Sequence, residues 1–233
     1  MAKKGKEVQT EHRMENFEEA LTKTEQFIED NQKILTIIVG IIVIIVIGFT
    51  VYRRYVVAPK QKEAMSQMYV AEQYFERDSF NLALNGDGNN LGFLDIIDTY
   101  GITKSANLAK YYTGICFLHL GKYEDAIDYL SKFKSKDKML SVIAKGALGD
   151  AFMQTGDTQK ALDHYLQAGN ASDNAFLAPI YLMKAGEVLE SLDEYNRALT
   201  IYREIQEKYP KSQEGRNIDK YISRVELLSG ESK

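Results

Sequence analysis

The apolar and polar positions of this chain fall into three regimes. Met1 to Glu15 is polar and charged, and Ile34 to Tyr52 is nineteen residues without a charge, rich in Ile and Val. Beyond that stretch the apolar residues return at helical spacing. A helix rising 1.5 Å per residue would cover about 28 Å with nineteen residues, close to the ~30 Å hydrocarbon core of a bilayer. Being apolar on every side, it offers water no polar stripe, which argues against a soluble core helix. Thirty-three mostly polar residues precede it and no small-x-small cleavage site follows, which argues against a signal peptide. Residues 34–52 are therefore predicted to be a single transmembrane anchor, with Tyr52, Arg53, Arg54 and Tyr55 as its interfacial belt. Thr36 and Gly40 make one small-xxx-small pair, for which plain lipid-facing packing is the favoured role.

In the third regime a glycine is followed twelve residues later by an alanine three times over: Gly114 and Ala126, Gly149 and Ala161, Gly186 and Ala198. Successive units are offset by 35 and 37 residues, the period of a helical-hairpin repeat. Two antiparallel helices approach closely only where small side chains meet. Bulky apolar residues keep step with the small ones. Phe117, Phe152 and Leu189 stand three after each glycine, and Leu130, Tyr165 and Tyr202 four after each alanine. Between the helices lie the turns Leu120-Gly121-Lys122-Tyr123, Thr155-Gly156-Asp157 and Leu192-Asp193-Glu194-Tyr195.

This pattern resembles the tetratricopeptide repeat, whose consensus has small residues at positions 8 and 20, aromatics at 11 and 24, and proline at 32. With position 1 at Asn107, Val142 and Pro179, the third unit keeps Gly186, Tyr195, Ala198, Tyr202 and Pro210. The family's tryptophan at position 4 is missing throughout, and the first unit has Leu130 and Phe133 at positions 24 and 27. The fold class expected is all-α: one transmembrane helix followed by an α-solenoid of tetratricopeptide-type hairpins.

The expected organisation starts with a polar tail at 1–33 containing a short juxtamembrane helix, Asn16–Gln32, opened by Asn16 and Glu19 as a capping box. Two roles stay open for it: lying at the membrane surface or docking a partner. The anchor at 34–52 and a linker at 53–59 follow, with Pro59 expected to stop the helix. The repeat domain is expected over 60–233. Its atypical first repeat, 60–101, pairs a long helix from Lys60 to Phe80 with a shorter one from Leu91 to Tyr100. Met65, Met68, Tyr69, Tyr74 and Phe75 are its expected apolar contacts. Repeats follow at about 107–140, 142–175 and 179–211, and a helix at 212–229 caps the array, as stacked repeats require. Its charges, Glu214, Arg216, Asp219, Lys220, Arg224 and Glu226, would solvate the open end.

Composition adds exclusions. The tail to residue 33 carries six Lys/Arg against eight Asp/Glu, and residues 53–233 carry 23 against 25, so neither part is basic enough to follow a phosphate backbone. Cys116 stands alone, which excludes an internal disulfide, and its neighbours Ile115 and Phe117 point to a small buried hydrophobe. Cys116 and His119 share a helical face, but no further ligand is spaced to complete a zinc site. Asp163-His164 lacks a nucleophile. The Asn/Asp/Gly run from Asn85 to Asn90 fails as a calcium loop, having Asn90 where glycine is needed and Ile96 where glutamate is needed. No enzyme, metal or cofactor is expected.

Binding remains. Resemblance to the repeat family implies that the first helices line a concave groove through positions 2, 5, 9 and 12. Those are Leu108, Tyr111, Ile115 and Leu118; then Ile143, Gly146, Asp150 and Met153; then Ile180, Met183, Glu187 and Glu190. The groove would be apolar at its first end and acidic at its last. Two readings of the first four stay open, groove lining or core beneath the capping repeat. Glu187 and Glu190 are expected mainly as solvated surface. Family members that hold the charged tails of heat-shock chaperones use a Lys/Asn/Arg clamp, with which Tyr111, Ile115, Asp150 and Ile180 are incompatible.

The whole order of tail, anchor, atypical pair and repeats resembles the YfgM-type ancillary subunit of the bacterial Sec translocon. The similar stretch starts at Glu18, with EEALTKTEQFIEDNQK before the anchor and YRRY after it. The resemblance implies a cytoplasmic N-terminus, an inner-membrane anchor and a periplasmic repeat domain. It also implies protein partners, namely SecYEG, a PpiD-like chaperone and nascent secreted chains. The flanking charges pull the other way: Lys23 and Lys33 precede the anchor, and Arg53, Arg54, Lys60 and Lys62 follow it. The positive-inside rule would then keep the repeats in the cytoplasm, as a membrane-tethered scaffold or receptor. A cell-envelope assembly factor is a third alternative.

Overall fold

The computed structural model describes residues 29–171 and 174–230. The juxtamembrane helix expected at Asn16–Gln32 lies almost wholly outside them. The chain divides into two compact units, with the boundary between Ala58 and Pro59.

In the first unit, α1 (Gln32–Tyr52) buries none of its residues. Its isoleucines and valines stand open on all sides, and the most apolar window has a mean hydropathy of 3.2. It is long and apolar enough to cross a membrane. Its two threonines return their hydroxyls to the helix, Thr36 to the carbonyl of Gln32 at 2.8 Å and Thr50 to that of Val46 at 2.7 Å. Neither hydroxyl therefore needs water.

The linker expected at 53–59 is helical instead. Arg53–Val57 forms a π-helical turn, and α2 (Ala58–Glu76) begins directly after it. The expected stop at Pro59 fails for a local reason. Proline follows directly on a π turn, whose bonds run five residues back, as from the Ala58 amide to the Arg53 carbonyl, and the widened turn makes room for the ring.

The second unit opens with α2, which buries Ala64, Met68 and Ala71, while Met65 and Tyr69 point outward against expectation. The helix also ends earlier than expected. Asp78 adopts φ 56°, and the amides of Asp78 and Ser79 return to the carbonyls of Phe75 and Tyr74. A short α3 (Phe80–Asn85) follows, then the loop through Gly86 and Asn90, then α4 (Phe93–Thr99). Asp87 organises the loop, accepting hydrogen bonds from the Asn90 side-chain amide, from the backbone amides of Asn90 and Asn89, and from the Tyr74 hydroxyl. These bonds hold its carboxyl well below the usual carboxylate range.

Three full hairpins come next: α5 (Lys104–His119) with α6 (Tyr123–Lys132), α7 (Lys138–Gln154) with α8 (Thr158–Gly169), and α9 (Ala178–Ser191) with α10 (Tyr195–Lys208). The end helix α11 (Gln213–Ser229) packs on α10. Side-chain N-caps start several of them, including Thr103, Asp137, Asp157 and Ser212. The hairpin turns share one design. Gly121, Gly156 and Asp193 each sit at positive φ, and the following amide returns five residues, from Lys122 to Phe117, Asp157 to Phe152 and Glu194 to Leu189. The bond from Ser79 to Tyr74 repeats it, so α2 and α3 form a hairpin with a truncated second helix.

Gly114, Gly149 and Gly186 are all buried. A Cβ on them would stand 2.4 Å from Leu130, 2.5 Å from Tyr165 and 2.3 Å from Tyr202 respectively. The second helix of each repeat thus lays its position-24 side chain directly against the backbone of the first. Two larger core clusters, one around Phe93 and Phe117 and one around Leu182 and Tyr202, are bridged by Leu130, Ala147 and Leu148. Gly149→Val should force the Tyr165 ring out of its seat and cost about 1–3 kcal/mol by overpacking. Denaturant unfolding measures this, and an unchanged midpoint would remove the close-contact argument.

Candidate groove on the first helices of the repeats

The expected groove residues divide by burial. Leu108, Tyr111, Ile115 and Leu118 on α5 are half-buried, as are Ile143 on α7 and Ile180 on α9. Tyr111 packs its ring against Tyr112 and Phe133, each at 5.5 Å between centroids, and burial raises its pKa. Met153 is 37% exposed and Glu187 is exposed. Two positions do not line a groove. Met183 is buried in the core cluster around Leu182, and Gly146 lies beneath the ring of Tyr181. A Cβ there would come within 1.9 Å of Tyr181, so only glycine admits that aromatic ring.

Two of the three acids expected in the groove are tied down. Asp150 accepts a hydrogen bond from the Tyr165 hydroxyl at 2.6 Å and pairs with Lys184 at 2.5 Å. Lys184 in turn lies over the rings of Tyr165 and Tyr181, at 5.5 and 6.0 Å from their centroids. Glu190 accepts from the Tyr202 hydroxyl at 2.5 Å and from Arg224 through two bonds, at 2.9 Å from Nε and 2.6 Å from Nη2. Glu190 is thus not the solvated acid expected, because the end helix reaches back to hold it. Two other end-helix acids bond to α10 at the exposed surface: Glu226 pairs with Arg203 and Asp219 accepts from Gln206.

Glu187 remains at the edge of a cavity of about 240 Å3, shared with Met153, Tyr165, Lys184, Val188 and Ser191. Its charge contributes to raising the pKa of both Tyr165 and Tyr202, after burial and their hydrogen bonds to Asp150 and Glu190. Tyr181 is raised to about 12, first by burial. Such a surface can hold a partner's side chains by contact and charge. Tyr181, Lys184 and Arg224 were not anticipated. Lys184 and Arg224 each bond an acid 34 residues earlier, Asp150 and Glu190, a separation that only the stacked array brings together. Cys116 is buried, which pushes its thiol up to about 12, and His119 stacks on Phe80 with centroids 4.5 Å apart.

A family model described as tetratricopeptide repeat matches residues 108–137 and 181–212, on the first and third hairpins. The chain carries tetratricopeptide repeats. Its fold is that of a tetratricopeptide-like solenoid, similar to two crystal structures of nearly identical TPR-like repeats from a kinesin-light-chain candidate of Podospora anserina, one of them a single-substitution variant of the other. Each is 12% identical with a TM-score of 0.56, covering 73% of this chain and 88% or 89% of the other, a likeness of fold alone. No curated protein matches the chain. The second repeat, which the family model does not match, forms the same hairpin in α7 and α8 with the same turn.

Tyr165 and Tyr202 hold their protons more tightly folded than unfolded, their pKa values lying well above the ordinary 10.0. Their contribution to stability is therefore complete below about pH 10 and is lost as pH rises beyond it. Unfolding midpoints measured across that range should fall, and the Tyr165→Phe/Tyr202→Phe double variant should fall less steeply.

Proposed function

We propose that this tetratricopeptide-repeat protein is a membrane-anchored protein-binding module, an accessory component of the SecYEG translocon that acts beside a PpiD-like periplasmic chaperone in secretion. In this reading α1 crosses the bacterial inner membrane once, the N-terminus is cytoplasmic, and the repeats work in the periplasm. The observation that carries the anchoring is that α1 exposes Ile and Val on every side and buries none of them. Binding rests on the repeats, whose groove offers half-buried apolar side chains at Tyr111 and Ile115 and a free acid at Glu187. The tail–anchor–repeat order supports the Sec assignment through its resemblance to the YfgM type. Tethering would confine the groove to the membrane surface and raise its effective concentration at a channel. Recognition, without chemistry, is the whole task.

A second reading is favoured by the four basic residues that follow α1, Arg53, Arg54, Lys60 and Lys62. It keeps the repeats in the cytoplasm as a scaffold for soluble partners. One pair of experiments separates the two. A photo-crosslinker at Met153 or Tyr111 should capture translocon subunits, the chaperone or nascent secreted chains. A reporter fused after Lys233 that works only outside the cytoplasm should be active. Soluble cytosolic proteins in the crosslinks and a silent reporter would establish the scaffold instead.

A further inference from the structure

The cavity of about 240 Å3 beside Glu187 lies where α7 and α9 end, and their last turns give it Met153, Val188 and Ser191. Neither turn contains a basic side chain, so nothing in it offsets the negative end of its own helix. The other polar side chains of the lining are already engaged. Tyr165 donates its hydroxyl to Asp150 at 2.6 Å, Lys184 pairs with the same carboxylate, and Ser191 donates to the carbonyl of Val188 at 2.6 Å. Glu187 is the exception. It is exposed and forms no hydrogen bond or ion pair among the described residues.

Comparison of the repeats shows what Glu187 lacks. Asp150 and Glu187 stand at the same position of successive units, one residue after Gly149 and one after Gly186. Asp150 receives Lys184 from 34 residues later. The residue at that distance from Glu187 is Tyr221, which brings no cation. Nearby cations are placed elsewhere: Arg224 holds Glu190 through two bonds, and Lys220 lies 4.6 Å from the Tyr221 ring centroid. Glu187 thus repeats the carboxylate of Asp150 without its counterion.

Charge and lining together define the occupant. An acidic partner is repelled at this place, and a wholly apolar one would strip water from Glu187 and replace it with nothing. A lysine or arginine meets both conditions, laying its methylene stem on Met153 and Val188 and its cation at Glu187. Further along the same two helices, the half-buried Ile143 and Ile180 suit apolar residues of the same segment. We propose, building on the protein-binding reading above, that this face of α7 and α9 docks an extended segment of a partner protein. Its lysine or arginine pairs with Glu187, and apolar residues flank it.

The test presents the full chain, in phosphatidylcholine nanodiscs, with a phage-displayed library of random peptides depleted beforehand on empty nanodiscs. Retained sequences should be enriched in Lys or Arg beside apolar residues. A synthetic peptide from that set should bind about five- to tenfold more weakly once its basic residue is replaced by Gln, and Glu187→Gln should weaken the original peptide as much. The two changes together should cost no more than either alone. Glu187 is exposed, so its variant should fold normally, and Glu207→Gln, which removes an exposed acid from α10, should bind like the unaltered chain. Retained peptides without a basic bias would overturn the assignment while leaving a binding module in place. A basic bias that Glu187→Gln leaves intact would do the same. A library from which nothing is retained would overturn the binding module as well.

Discussion

Each full repeat rests on one exchange, in which the first helix gives up a side chain so that the second can lie against its backbone. Leu130 occupies the place left by Gly114, Tyr165 that left by Gly149, and Tyr202 that left by Gly186. The seat fixes how near the two helices come, because any Cβ there would overlap its occupant. It also decides the chemistry of the opposite face. A tyrosine is long enough for its hydroxyl to pass beyond the first helix, where it meets Asp150 in one repeat and Glu190 in the other. Leucine has no such reach or polarity. The first repeat accordingly presents Tyr111, Ile115 and Leu118 without an anchored acid, so the first helices differ in character from one repeat to the next.

The two anchored acids join neighbouring units as well. Asp150 takes Lys184 from the third repeat, and Glu190 takes Arg224 from the end helix. Both pairs are partly open to solvent, so each contributes modestly to stability. Their larger effect is orientational. An acid held by a tyrosine and a cation at once has little freedom to turn, so this face keeps one arrangement.

Much of this was legible in the residues. The glycine–alanine spacing carried the hairpins and their period, because close approach of helices demands small residues at fixed places. The uncharged run carried α1 for an equally simple reason. The truncated hairpin of α2 and α3 was harder to see. Asp78-Ser79-Phe80 repeats the turn formula of Asp193-Glu194-Tyr195 and Gly121-Lys122-Tyr123, but the familiar glycine is absent and the second helix stops after six residues. Pro59 misled because its effect depends on the π turn just ahead of it, which composition does not reveal. Lining of the groove was legible only in part. Helical register says which residues share a face, but Met183 and Gly146 are covered by side chains arriving from elsewhere in the array. Pairing across repeats, as for Glu190 and Arg224, depends on contacts 34 residues apart that no local pattern contains.

Gln61 has a consequence of its own. Its side-chain oxygen accepts from the amides of Lys104 and Ser105, and its nitrogen donates to the Ser105 hydroxyl at 2.7 Å. One residue of α2 thus completes the opening turn of α5, more than forty positions away. Any cut that separates the repeats from α1 keeps these bonds only if it falls ahead of Gln61. Severed later, the shed fragment would begin with the opening turn of α5 uncapped by Gln61, and its leading edge would fray.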